Sequence, residues 1–402
     1  MSIASQSQPT TSGSRLWMVL VLGLLASFGP LSLDMYLPAL PVIADDLHTT
    51  TSLAQMSLTA CMLGLSLGQL VAGSMSDVRG RRIPLLAGLL IYGVASALCM
   101  VAPSIWAFLL LRFIQGMAGA AGIVISRAIV RDMYEGVALT KFFALLMLVN
   151  GAAPILAPII GGQLLQLTSW RGVFLVLSLI GIVMLIIVVF GLKETHPLDR
   201  RTKGGLSNTL RVFRGLLTDR LFMGYALTQG LVFAGMFAYI SGSPFVLQDM
   251  YGVSPQMFSV IFAVNGAGVI VAGQITGRLA GKVSNRRLLA GGLTIAVLGG
   301  MLLLIATLSG AGLVMILPAF FLIVACIGPV SVSTSSLALQ NQGKTAGSAA
   351  ALLGLMTFVI GGVVAPFVGI GGSHTAVPLG IIIALMEVGA VICFLGMTTK
   401  KE

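Results

Sequence analysis

Residues 53–101 read LAQMSLTACMLGLSLGQLVAGSMSDVRGRRIPLLAGLLIYGVASALCMV, two apolar runs flanking a short turn that holds Asp77, Arg79, Arg81 and Arg82. Each run has the roughly 20 residues that an α-helix needs to cross the hydrocarbon of a bilayer. All the charge is in the turn. Two spanning helices joined by a basic loop is the reading that fits, and it sets the pattern for the chain.

Working outward, twelve such stretches appear, near 16–41, 53–74, 83–101, 105–127, 141–165, 171–192, 221–247, 257–279, 287–308, 313–337, 346–369 and 376–397. Of 402 residues, 57% are hydrophobic and 9% charged, with a mean hydropathy of +1.04. A globular domain is roughly 25% charged, so a water-soluble enzyme is excluded. Twelve spans use roughly 250 residues, which leaves any activity within or between helices. The net charge of +11 suggests nucleic acid, but the basic residues are scattered between apolar runs and no nucleic-acid partner is expected.

Orientation follows from Lys and Arg in the short loops. With the N-terminus inside, 21 of the 23 basic residues are cytoplasmic, while the outer loops hold Arg171 against Asp45, Asp46 and Asp249. Both termini are therefore expected in the cytoplasm. Residues 1–14 read as a disordered cytoplasmic tail, 15–192 as a first six-helix bundle, 193–220 as a cytoplasmic central loop, 221–397 as a second bundle and 398–402 as a cytoplasmic tail. Cys61, Cys99, Cys326 and Cys393 fall singly in spans and His48, His196 and His374 in separate loops. No metal site, cofactor or nucleophile–base pair is expected from them.

The halves repeat. Arg81-Arg82 matches Arg286-Arg287 at an offset of 205, Pro38 matches Pro244 at 206, Ala157-Pro158 matches Ala365-Pro366 at 208, and Gly73 matches Gly273 at 200. Six spans per half makes this a parallel repeat, with substrate expected near the midplane between two bundles that rock against each other. The fold class is all-α integral membrane, twelve transmembrane helices in two pseudo-symmetric bundles.

The turn Gly73-Ser-Met-Ser-Asp77-Val-Arg79-Gly80-Arg81-Arg82 resembles the loop signature of the major facilitator superfamily, with Val78 where a basic residue is usual. Span 4 carries Arg112-Phe-Ile-Gln115-Gly116, similar to that superfamily's R-x-x-Q-G motif of proton coupling. Span 5 carries Pro154-Ile-Leu-Ala157-Pro158-Ile-Ile-Gly161-Gly162, similar to its antiporter motif, with Ala153 and Ala157 at two glycine positions. Leu33-Asp34-Met-Tyr36-Leu-Pro38 and Arg131-Asp132-Met-Tyr134 resemble the Bcr/CflA group of bacterial drug–proton antiporters. The resemblance covers essentially the whole chain. It implies a monomeric exporter of small amphipathic drugs, exchanged for protons across the bacterial cytoplasmic membrane. A metabolite exporter or symporter on the same fold, and a non-transporting sensor, remain as alternatives.

Charges within spans are costly and usually mark pathways; here they are Asp34, Arg112 and Glu387. Asp34 and Arg112 lie at matching depths, and Asp34 is expected to be the protonatable carboxylate with Arg112 as its ionic partner. Glu387 is expected to be a second proton site, a partner to a polar neighbour, or simply protonated. Asp77 is expected to bond Arg81, Arg127 or Arg131 as a latch, with Gly73 and Gly80 permitting the turn, present only when the cytoplasmic side is closed. Pro154, Pro158, Gly161 and Gly162 form an expected hinge or seal. Tyr36, Gln115, Met147, Asn150, Phe233, Phe237 and Asn265 are the candidate drug lining.

Overall fold

A computed structural model of the chain describes residues 12–134, 136–198, 201, 206–340, 342, 346–372 and 374–398. Most of the terminal tails lies outside these residues. Among them are sixteen α-helices: α1 (Ser12–Ala26), α2 (Phe28–Asp34), α3 (Leu40–Asp46), α4 (Thr51–Arg79), α5 (Arg82–Met100), α6 (Ile105–Met133), α7 (Gly136–Leu167), α8 (Trp170–Gly191), α9 (Leu206–Thr218), α10 (Arg220–Pro244), α11 (Pro255–Leu279), α12 (Asn285–Ser309), α13 (Leu313–Ala325), α14 (Ile327–Leu339), α15 (Ala346–Val364) and α16 (Val377–Thr398). Eleven helical segments are long and apolar enough to cross a membrane, and a bent pair supplies a twelfth.

Local chemistry sets the ends. Thr50, Ser104, Ser254 and Ser284 each accept a hydrogen bond from the backbone N–H three residues on, and so cap α4, α6, α11 and α12. Gly80, at φ +89°, turns the chain out of α4 where a side chain would be strained.

Span 1 is not the continuous helix expected over 16–41. It breaks after Ala26, bends by 45° and, after α2, passes through a 3-10 turn (Leu37–Ala39) into α3. Pro38 and Pro41 bring no backbone N–H for an unbroken helical ladder. The same cause acts in the second half, where α10 gives way at Pro244 to a π-helical turn (Phe245–Met250) and α15 gives way at Pro366 to a 3-10 turn (Ala365–Gly371). Span 10 divides at Cys326 into α13 and α14, with Pro329 just beyond. The central segment is also not all loop. It contains α9, whose Phe213 and Leu216 are buried while Arg211 and Arg214 are exposed, an amphipathic face too short for a span.

The apolar cores show how the halves meet. One cluster, at the end of the bundles away from the termini, contains Tyr36, Leu40 and Phe174 of the first half together with Tyr239, Phe262 and Leu379 of the second. Toward the terminal end the cores separate: Leu22, Tyr92 and Phe142 belong to one cluster, Phe222, Leu289 and Phe394 to another. Among the described residues, the fully buried clusters of the two halves merge only at that first end, while Leu70 of α4 is the partly buried residue of the first half that packs on the second half's terminal-end core.

Candidate functional site

Arg112 is fully buried in α6. Its Nη1 donates to Gln115 Oε1, one helical turn along the same face. Its Nη2 donates to the Ser32 carbonyl at 2.7 Å, an acceptor left free near the end of α2. The guanidinium lies 4.3 Å from the centre of the Tyr36 ring and 5.6 Å from that of Phe174. Gln115 Nε2 donates to Ser96 Oγ at 2.7 Å. The hydroxyls of Tyr36 and Ser57 lie 2.8 Å apart, and those of Tyr92 and Ser32 2.9 Å apart. Five helices thus converge on one cation.

Asp34 does not complete this network: in this conformation the expected ion pair with Arg112 is not made. Among the described residues, no N–O contact within 4.0 Å joins it to Arg112 and no hydrogen bond reaches its carboxyl. Two residues along a helical turn rotate a side chain by about 200°, so Tyr36 takes the Arg112 side and Asp34 turns away. The Asp34 carboxyl is buried within electrostatic reach of Cys61 and of Tyr239 in the second half. Tyr239 accepts a 2.9 Å bond from Asn265 Nδ2 and packs on Phe262 and Phe320, with ring centres at 5.8 and 4.9 Å.

Glu387, in α16, is fully buried with both carboxyl oxygens unpartnered. Its Oε1 faces Gly235 of α10, where an added Cβ would come within 2.5 Å, and Gly300 of α12 lies against its stem. The Cys326 thiol is within reach of its field.

At the terminal end, buried Arg81 donates to Asp77 at 2.5 Å, to Ser76 at 2.9 Å and to Asp132 at 2.8 Å. Asp77 therefore pairs with Arg81 and not with Arg127 or Arg131, both exposed. The cluster joins α4, α5 and α6 within one bundle. It stands while the halves share their core at the opposite end, whereas the expected latch was one present only with the cytoplasmic side closed. Gly73 lies on α4 near it, 3.4 Å from Val124 for an added Cβ.

Sequence reasoning missed three members. Asp132, near the end of α6, accepts from Arg81. Glu194 accepts from the backbone N–H groups of Arg81, Arg82 and His196 at 2.8, 3.0 and 3.0 Å. Burial pushes the Glu194 carboxyl up, but these three bonds outweigh it and hold the group below its ordinary range. His196 Nδ1 is 3.9 Å from Asp132. The signal available was a lone acid at the end of span 6 facing a basic turn.

Pro154 and Pro158 lie inside α7. Gly161 presses on the Met35 carbonyl, and Gly162 on Ser259 and the Pro255 carbonyl of α11. Ser259 Oγ donates to the Pro158 carbonyl at 2.7 Å, and Gln256 Nε2 to the Gly162 carbonyl at 3.0 Å. On the other flank Gln55 Nε2 donates to the Ser241 carbonyl at 3.2 Å and Thr59 Oγ1 to the Gly362 carbonyl at 2.7 Å. Among the described residues, these side-chain bonds between halves all lie toward the end away from the termini.

Of the candidate lining, Tyr36 and Gln115 are fully buried against Arg112 in this conformation. Asn265 and Phe237 are buried in the second half, Phe233 and Asn150 partly so, with Phe233 and Phe237 ring centres 6.5 Å apart. The side chain of Met147 lies outside the described residues.

The sequence profile of the Major Facilitator Superfamily matches residues 20–366. An uncharacterized MFS-type transporter, YdgK of Bacillus subtilis, is 43% identical over 393 residues, 97% of this chain and 98% of the relative. A bicyclomycin resistance protein homolog of Haemophilus influenzae is 31% identical over 388 residues, 95% and 96% of the two chains. A bacterial homolog of the human lysosomal transporter Spinster has the same fold, with a TM-score of 0.74 at 16% identity over 98% of this chain and all of that one. With its helices, its basic turn and its full-length relatives in agreement, the chain belongs to the major facilitator superfamily of membrane transporters, in the Bcr/CflA group.

Proposed function

We propose that the chain exports small amphipathic drugs in exchange for protons by alternating access, as a monomer in the bacterial cytoplasmic membrane with both termini inside. The observation that carries this is Asp34. It is a buried carboxyl, unpaired with the nearby cation, at the seam where span 1 meets Tyr239 of the second half. A buried acid without a counter-charge favours its neutral form, whereas water or a cationic partner favours the anion. Proton and cargo then compete for one group. The relative named for bicyclomycin resistance supports a drug as cargo.

The bundles at 15–192 and 221–397 act as the rocking bodies in this reading. With the basic terminal end in the cytoplasm, the shared core closes the outer side. Cargo then enters from the cytoplasm, meeting Asn150 and Phe233 before the aromatic floor of Tyr239 and Phe262. Arg112 positions Tyr36 and the broken span rather than pairing with the acid.

Reconstituted vesicles with an imposed proton gradient test the reading. Addition of bicyclomycin-class and chloramphenicol-class compounds is expected to release protons, and Asp34→Asn to abolish that release. Proton and compound moving in the same direction would make the chain a symporter. No coupled flux across a broad panel, metabolites included, would overturn transport coupling altogether.

A further inference from the structure

We propose that Glu387 is a second proton-binding site, occupied in this conformation and emptied when the second bundle rearranges. The site is built from the second half alone, away from Asp34. Glu387 lies 10 residues into the 22-residue α16, about 15 Å from either end at 1.5 Å per residue, and so at mid-depth.

Its surroundings decide its charge. Neither oxygen has a hydrogen-bond donor. Gly235 faces one oxygen, Gly300 faces the stem, and Cys326 is the titratable neighbour, its thiol already turned to the Ile323 carbonyl at 3.0 Å. The cations of the helices packed against it are remote: Arg220 on α10 and Arg286 and Arg287 on α12 are 13 to 15 residues from the facing glycines, roughly 20 Å along the helices. An unpaired carboxylate there costs several kcal/mol even after relaxation. Hard cations such as Ca²⁺ or Mg²⁺ take about six oxygen ligands, and no group of three or more His, Cys, Asp or Glu that could hold a metal ion exists among the described residues. The carboxyl carries a proton.

That proton is removable. Glu387 sits beside the break between α13 and α14 at Cys326 and between glycine positions of α10 and α12. The glycines bring α10 and α12 close against the carboxyl, and the break at Cys326 is a point at which α13 and α14 can bend relative to each other. On separation, water enters, Glu387–COOH gives Glu387–COO⁻ and a proton to solvent, and re-closure requires a proton back. Protonation therefore favours the conformation seen here. This functional step rests on the exchange reading above, but the protonation itself does not.

Infrared spectroscopy of the full-length protein in lipid reads the site directly. A protonated-carboxyl C=O absorption at neutral pH is expected in the parent, with a Glu387 component that is retained in Asp34→Asn and lost in Glu387→Gln. A band unchanged by Glu387→Gln would overturn the proposal, whatever Asp34→Asn does. Protons exchanged per cargo, measured in vesicles, are expected to fall from two to one in Glu387→Gln while exchange continues. An unchanged ratio would overturn the second site even if the band assigns as expected, and would leave the Asp34 reading intact. Should the glutamine variant not fold, Glu387→Met, of similar volume, gives both readouts.

Discussion

Arg112 and Tyr36 form the closest cation–ring contact at the centre of the first bundle, 4.3 Å from guanidinium carbon to ring centre. The acid two residues before the tyrosine takes no part in it. This separates two jobs that the sequence alone assigned to one pair. The cation holds the broken first span through the Ser32 carbonyl and the Tyr36 ring, and the carboxyl is not engaged by it.

Arg112→Lys is expected to keep the protein folded and to lose most coupled efflux. A single ammonium does not bridge Gln115 and the Ser32 carbonyl while covering the ring. Arg112→Ala leaves both acceptors buried and unsatisfied, each costing about 1–3 kcal/mol. Its midpoint of thermal unfolding in detergent should fall well below that of the lysine variant; equal midpoints would contradict the bridging role.

Arg81→Ala is expected to destabilise the terminal end of the first bundle by about 3 kcal/mol, since Asp132 loses a buried cation. Hydrogen exchange should rise in α5 and near the end of α6. Protection confined to the wild-type level there would show that the arginine is dispensable.

Glu194 gives a pH signature. Its folded pKa lies below the unfolded value, so its contribution to stability is present above the unfolded pKa, about 4.3, and is lost as pH falls through the folded pKa. The stability gap between wild type and Glu194→Gln, followed by thermal unfolding, is expected to be constant above about pH 5 and to close on further acidification. A gap that widens toward acid would reverse the assignment.

Gly116→Ala is expected to force α4 and α6 apart, because its Cβ would meet the Cys61 backbone; Gly64 and Gly68 of α4 press equally closely on α6. Overpacking of this kind costs about 1–3 kcal/mol. Gly277→Ala, with nothing within 4 Å of an added Cβ, is the control and should leave the unfolding midpoint unchanged.

Span number was legible in the sequence because spanning helices are written as length and hydropathy, which do not depend on neighbours. Proline positions were legible as marks but not as geometry, so the breaks at Pro38, Pro244 and Pro366 emerged only in three dimensions. The burial of Arg112 was legible as an isolated charge in an apolar run. Its partners were not, since the Ser32 carbonyl belongs to the backbone and carries no residue signature. Glu194 and Asp132 were hidden for a related reason: each lies far along the chain from the turn it serves, and depth arguments rank spans, not loops.

Gly161 and Gly162 of α7 tie the seam between the halves to the first span. Gly161 touches the carbonyl of Met35, the residue after Asp34, and its neighbour Gly162 touches Ser259 across the seam. Parting the halves therefore disturbs the backbone at the acid within two residues of the contact that is broken. A machine whose gate and fuel inlet were far apart would slip, spending its gradient without moving cargo whenever the linkage flexed. On the exchange reading proposed above, the linkage is a single helical step, and coupling would be set by how closely the α7 backbone approaches Met35 and Ser259 where Gly161 and Gly162 carry no side chain.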